Sequence, residues 1–270
     1  MKIVCLIRNK APLVYFVNAV HARYPVSLVV IETPASAINQ SAALGALYRQ
    51  IMIIAHKIRR RKEIKRIENI NTRLFGNNWR RLNEEIPVMQ VQSVNDTSVW
   101  ERLLAEKPDI ILDHGTSIVK NHILETAPLA LNIHWGLSPY YRGTNCTNWA
   151  ILKRDPYNIG VTVHLLAKDV DGGDIFGQTR VIPEANDTAR SINLKLTKAG
   201  AEIVMRALDR LSHGESLKFH HQDLSVGLLT RVKDYTKAHA QQITEIEKKG
   251  LSPILEHPSR SERLPIHEIN

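Results

Sequence analysis

The chain has 270 residues, 43% of them hydrophobic and 23% charged, which allows one large domain or two modest ones and excludes a disordered or fibrous chain. No run approaches the roughly 18 consecutive apolar residues of a membrane span, because the best candidate, residues 42–55, is broken by Arg49 and Gln50. The net charge is +9, and two cysteines, Cys5 and Cys146, exclude a disulfide framework and a four-cysteine zinc site; with no secretion signal legible at the start, a reducing, cytoplasmic setting is expected.

Residues 2–7 and 26–31 are short apolar runs on either side of an amphipathic stretch at 13–23, a strand, helix, strand order that predicts a parallel α/β unit. After Pro34, Leu44, Leu47, Ile51, Ile54 and Ile58 recur at spacings of three and four, which puts an apolar stripe on one side of a helix. That stripe needs cover from its own sheet, from a second copy in a homodimer or, ranked lowest, from lipid. The same segment, residues 40–85, holds eleven cations against four carboxylates, so seven of the nine net charges sit there. It reads as a helical basic insertion, either a solvated face or a patch able to attract phosphate, nucleic acid or a membrane surface.

Alternation resumes with a strand around Val88 and Val91, a helix capped near Asn95 or Asp96 and running to about Lys107, and a buried strand at 109–112. A short helix is predicted at 118–124 and a further strand at 129–133, giving a doubly wound sheet whose ligands should collect at the carboxyl ends of its strands. Residues 144–153 read as a helix, 160–166 as a strand with Val161, Val163 and Leu165 on one face, and 188–211 as a long helix. Beyond His213 the signal weakens to short strand-like pieces, a helix at 236–248 and a tail rich in Pro, Ser and charge. The expected organisation is a catalytic domain over 1–213 and a small C-terminal subdomain over 214–270.

Asn132 and His134 stand two apart at the end of a buried strand, so their side chains leave the same face about 7 Å apart. Polar groups there either hydrogen-bond internally, as a satisfied core histidine does, or line a site. A turn carrying Tyr141 and Arg142 follows, and later a glycine-bearing loop with Asp169, Asp171 and Asp174. That loop lacks the bidentate Glu and the flanking helices of a calcium loop, so no metal is expected.

The run 131–143, LNIHWGLSPYYRG, and the run 160–176, GVTVHLLAKDVDGGDIF, resemble the formyltransferase family that includes glycinamide ribonucleotide formyltransferase, methionyl-tRNA formyltransferase and the nucleotide-sugar N-formyltransferases. The resemblance implies a Rossmann-like fold, 10-formyltetrahydrofolate as co-substrate, and catalytic roles for Asn132, His134 and Asp171. It also implies folate contacts from Gly115, Thr116, Ser117 and Ile118 and from Lys168, Asp169 and Val170, with Tyr141 and Arg142 toward the acceptor. Two features depart from the family: Trp135 and Gly136 replace the usual Pro-Ser after the histidine, and residues 8–12 lack the glycine-rich loop of the purine enzyme, which argues against glycinamide ribonucleotide.

The residue types suit formyl transfer on their own terms. An amide donor can stabilise the oxyanion of a tetrahedral carbon, a histidine can shuttle the proton, and an aspartate can orient that histidine. For the acceptor, a nucleotide-linked amino sugar is favoured, because Tyr15, Trp79, Tyr140, Tyr141, Arg142 and Phe219 offer stacking and charge while only a short C-terminal region follows His213. A methionyl-tRNA formyltransferase-like enzyme is the runner-up. A non-catalytic nucleic-acid or membrane-surface module, using residues 59–66, is the alternative of another class, and the presence of all three candidate catalytic residues speaks against it.

Overall fold

The computed structural model describes residues 1–33, 65, 68–69, 72, 75–76 and 81–269. Of the basic insertion, the stripe Leu44, Leu47, Ile51, Ile54 and Ile58, the cations Arg59, Arg60 and Arg61, and Trp79 therefore lie outside the described residues.

Strand β1 (Ile3–Arg8), helix α1 (Ala11–His21) and strand β2 (Val26–Glu32) open the chain, followed by β3 (Val88–Val91), α2 (Thr97–Glu106), β4 (Ile110–His114), α3 (Asn121–Leu124) and β5 (Leu129–His134). The five strands are parallel, and the sheet runs β3, β2, β1, β4, β5, so the order reverses between β1 and β4. Such a reversal leaves a crevice at the carboxyl ends of the strands. Two antiparallel strands, β7 (Gly160–Leu165) and β8 (Ile175–Arg180), extend the sheet to seven beyond β5. The mostly parallel, doubly wound α/β architecture expected of the sequence is the one observed.

The central strands read as near-continuous apolar runs because both faces are covered. On one face Ile3, Cys5, Ile7, Leu112, Leu131, Ile133, Val161 and Val163 pack with Phe16, Val17 and Val20 of α1 and with Ile192, Leu196 and Val204 of the long helix α5 (Ala189–Ser212). On the other, Val4, Leu6, Leu28, Val30 and Ile111 meet Val99 and Leu103 of α2 and Ile123 of α3. Helix α5 starts at a reciprocal cap in which the Thr188 side chain accepts from the Ser191 amide and the Ser191 hydroxyl accepts from the Thr188 amide.

Local differences from the sequence pattern are few. The predicted helix at 118–124 starts only at Asn121, because residues 115–118 turn inward to bond with β2 and β4. A three-residue strand β6 (Tyr141–Gly143) pairs in parallel with β9 (Leu228–Thr230), a pairing too short to leave a periodic signal. Helices α4 (Cys146–Leu152), α6 (Lys237–Lys249) and α7 (Ser252–Glu256) complete the elements used below. Among the described residues no helix is long and apolar enough to cross a membrane.

Candidate active site

The carboxyl end of β5 presents Asn132 and His134 on one face. Antiparallel pairing sets His164 of β7 opposite Asn132 and Thr162 opposite His134, so a second imidazole joins the pair. The loop from β7 to β8 folds back over them and delivers Asp171, whose backbone sits in the left-handed region at φ +49°. Sequence reading alone brought forward Asn132, His134 and Asp171 and missed His164, although its place on the opposite face from Val161, Val163 and Leu165 was legible.

The four side chains form one connected cluster. Asp171 Oδ2 lies 3.3 Å from His134 Nδ1 and accepts from the Gly143 amide at 2.8 Å. Asp171 Oδ1 accepts from Asn132 Nδ2 at 3.1 Å and lies 3.6 Å from His164 Nε2. His164 Nδ1 donates to the Leu165 carbonyl at 2.8 Å, which leaves Nε2 to accept the second Asn132 Nδ2 hydrogen at 3.1 Å. Both amide hydrogens of Asn132 are thus engaged within the cluster. His134 Nε2 donates to the Tyr141 carbonyl at 3.0 Å, with the Cys146 thiol 3.6 Å away.

Charge follows from these contacts. Burial alone would raise the Asp171 carboxyl, but His134 first and the Gly143 amide with it act the other way, and its pKa is brought to about 2. Burial also pushes the His134 imidazole below its ordinary value, against the pull of Asp171 and the Tyr141 carbonyl toward the imidazolium. The net effect favours the neutral imidazole, with an ionised carboxylate beside it.

Around the cluster the turn 135–143 is tightly built. A side chain at Gly136 would overlap the His134 ring and the Tyr141 carbonyl, which gives the glycine after Trp135 a steric reason. Gly143, at φ +91°, lies so close to the Thr230 backbone that a Cβ could not be placed. The Tyr141 ring is buried, its hydroxyl donating to Asp155 Oδ2 at 2.7 Å, so its carbonyl rather than its ring faces the cluster. Arg142 is 7% exposed and donates from Nη2 to the Leu224 carbonyl at 3.0 Å.

A second polar group lies next door. Asp113 of β4 stands beside Asn132 in register, is buried, and accepts from the Thr116 hydroxyl at 2.5 Å. Burial raises its carboxyl to about 7, against the Thr116 hydrogen bond. Glu32, 1% exposed at the end of β2, accepts from the Ser117 amide and hydroxyl, the Val94 amide and Arg8 Nη2. These contacts hold the side chains of Thr116 and Ser117 inward. What the loop 115–118 offers to a ligand is its backbone and the Ile118 side chain, 71% exposed; the loop 168–170 likewise presents exposed Lys168, Asp169 and Val170. Among the described residues no group of three or more His, Cys, Asp or Glu side chains could hold a metal ion.

Residues 35–208, more than half of the chain, match the formyl transferase family. The chain belongs to the formyl transferase family. A methionyl-tRNA formyltransferase from Methylacidiphilum infernorum is 28% identical over 165 residues, which cover 58% of this chain and 51% of that protein, so the chain spans about half the length of that curated relative. Among solved structures, a 4-N formyltransferase from Francisella tularensis superposes with a TM-score of 0.55 at 19% identity, over 87% of this chain and 78% of that one. An N-formyltransferase from Helicobacter canadensis, in complex with folinic acid and dTDP-3-aminofucose, superposes with a TM-score of 0.55 at 16% identity, over 87% of this chain and 73% of that one. At these identities the likeness is one of fold.

Proposed function

We propose that this formyl transferase moves a formyl group from 10-formyltetrahydrofolate to the amine of a nucleotide-linked amino sugar. The observation that carries the transfer is the convergence of Asn132, His134 and Asp171 at the carboxyl end of β5, with a backbone-lined loop on either side. The folate would supply the formyl carbon, held by Gly115, Thr116, Ser117 and Ile118 on one side and Lys168, Asp169 and Val170 on the other.

The chain's own groups divide the work. Asn132 turns one Nδ2 hydrogen from its internal partner toward the formyl oxygen as that oxygen gains charge, a contribution of about 3 kcal/mol. His134 takes the proton of the attacking amine and returns it to the departing nitrogen, and its lowered pKa leaves the neutral, proton-accepting form available. Asp171 stays ionised throughout and keeps the imidazole oriented. Arg142, a buried cation that donates to the Leu224 carbonyl, suits an acceptor that carries phosphate.

The likeness of fold to a protein solved with dTDP-3-aminofucose supports the sugar as acceptor. The methionyl-tRNA formyltransferase relative favours a second reading, with aminoacylated tRNA as acceptor. Incubating the full chain with 10-formyltetrahydrofolate and either a panel of nucleotide-linked amino sugars or methionyl-tRNA separates them. A mass gain of about 28 Da on a sugar is the expected result; a gain on the tRNA-linked methionine alone selects the second reading, and no gain on any amine removes both.

A further inference from the structure

Resting on the reading of Asp171 and His134 as the reacting pair, we infer that Gln222 is a positioning residue for Asp171, reaching the site from beyond the segment 35–208 that matches the family. Gln222 is 2% exposed, and its Nε2 donates to the carbonyl of Asp171 itself, at 3.1 Å, and to the carbonyl of Gly173. The amide must lie this way round, since its oxygen would be repelled by the two carbonyls. That orientation leaves Oε1 buried without a hydrogen-bond donor. A buried acceptor left unsatisfied is costly, so the two carbonyls are what the side chain is placed to serve.

The need for such a clamp follows from the backbone of Asp171. At φ +49° it holds a conformation that residues other than glycine rarely adopt, yet the position requires a carboxylate that meets His134, Asn132 and the Gly143 amide at once. Fixing the carbonyl of a strained residue fixes the direction in which its side chain leaves the backbone. Gln222 is itself held on both sides: His220 exchanges two backbone hydrogen bonds with Ile175, at 2.7 and 2.8 Å, and the Leu224 carbonyl accepts from Arg142. The segment 220–224 therefore ties the carboxylate loop to the turn that carries Arg142.

The test uses the full chain with labelled histidine, following the His134 ring by NMR as pH is varied, alongside formyl-transfer kinetics. The groups that bear on His134 are Asp171, His164, His114, Arg142, Cys146 and the Tyr141 carbonyl, and of these Gln222 bonds to Asp171. Asp171 favours the imidazolium, so a loosened carboxylate lets the His134 midpoint fall. Gln222→Met, of similar length without a donor, should lower the midpoint by about half a unit or more, in the same direction as Asp171→Asn. It should also lower kcat about tenfold with KM for the folate within about twofold. Gln222→Asn, smaller and still polar, should show the same sign with a smaller size. Wild-type midpoints in either folded variant overturn the inference. A shifted midpoint in a protein that formylates no amine would keep the positioning and sink the functional reading, whereas unshifted midpoints in an active formyl transferase would do the reverse.

Discussion

His134 meets two acceptors with one ring, the Asp171 carboxylate at Nδ1 and the Tyr141 carbonyl at Nε2, and burial alone works against the doubly protonated form that would satisfy both. As His134 and Asp171 are the proposed reacting pair, substitutions here should strike turnover before stability. His134→Ala and Asp171→Asn should each reduce kcat by about 100-fold or more, and Asn132→Ala by a similar factor. Circular dichroism should show each variant folded, and near wild-type turnover in any of them would remove that residue from the reaction. One strand over, two carboxyls respond to pH with opposite signs. Asp113 is raised from 3.8 to about 7 in the fold, so its charge opposes folding and stability is lost as pH rises through that window. Asp171 is lowered to about 2, so its contribution is full above 3.8 and is lost as pH falls toward that value. Thermal unfolding should therefore show Asp113→Asn melting above wild type at pH 8, with the two converging near pH 4.

Among the elements, the ends of β2 and β4 depend on a single buried carboxylate. Replacing Glu32 by Leu would strand the Ser117 amide and hydroxyl, the Val94 amide and the Arg8 guanidinium, and urea unfolding should register a loss of about 3 kcal/mol or more. The pairing of β6 with β9 is as exacting: Gly143→Ala would place a methyl on the Thr230 backbone and strain a φ of +91°, so the melting temperature should fall and the Asp171 contact from the Gly143 amide should weaken with it. Neither feature was legible beforehand, and the reason is the same for both. Glu32 closes a strand and looks like any charged residue at a chain reversal, while its four donors come from three places distant in sequence. The three-residue strands β6 and β9 are joined over 87 positions and carry no period. What was legible obeys local rules: the apolar runs of β1, β2, β4 and β5, the helix at 188–211 found at 189–212, and the helix at 236–248 found at 237–249. Asn132 and His134 were readable because two polar side chains sit where a buried strand should end, whereas His164 and Gln222 become visible only once antiparallel pairing and the returning chain bring them in.

At the scale of the whole molecule, residues 264–267 lie against the outer edge of β8. The Gln178 amide donates to the His267 carbonyl at 2.8 Å, the His267 amide donates to Gln178 Oε1 at 3.1 Å and Arg180 donates to the Leu264 carbonyl, while Arg154, just after α4, donates to the His257 carbonyl. An open edge strand invites pairing with another chain. Removing residues 257–269 should lower the melting temperature and produce concentration-dependent association, read by light scattering, and an unchanged mass and melting temperature would show that the segment shields nothing.

The return of residues 220–230 onto the turn 140–143 and the loop 171–173 also fixes when, during synthesis, the cluster gains these contacts. A nascent chain stalled at residue 213 already carries Asn132, His134, His164 and Asp171, yet it lacks the Gln222 amide, the Leu224 carbonyl and the β9 strand that hold their supports in place. At about 5 to 20 residues per second, the ribosome needs about 1 to 3 seconds more to supply them. The supports of the cluster therefore join it only after the seven-stranded sheet is already complete in sequence.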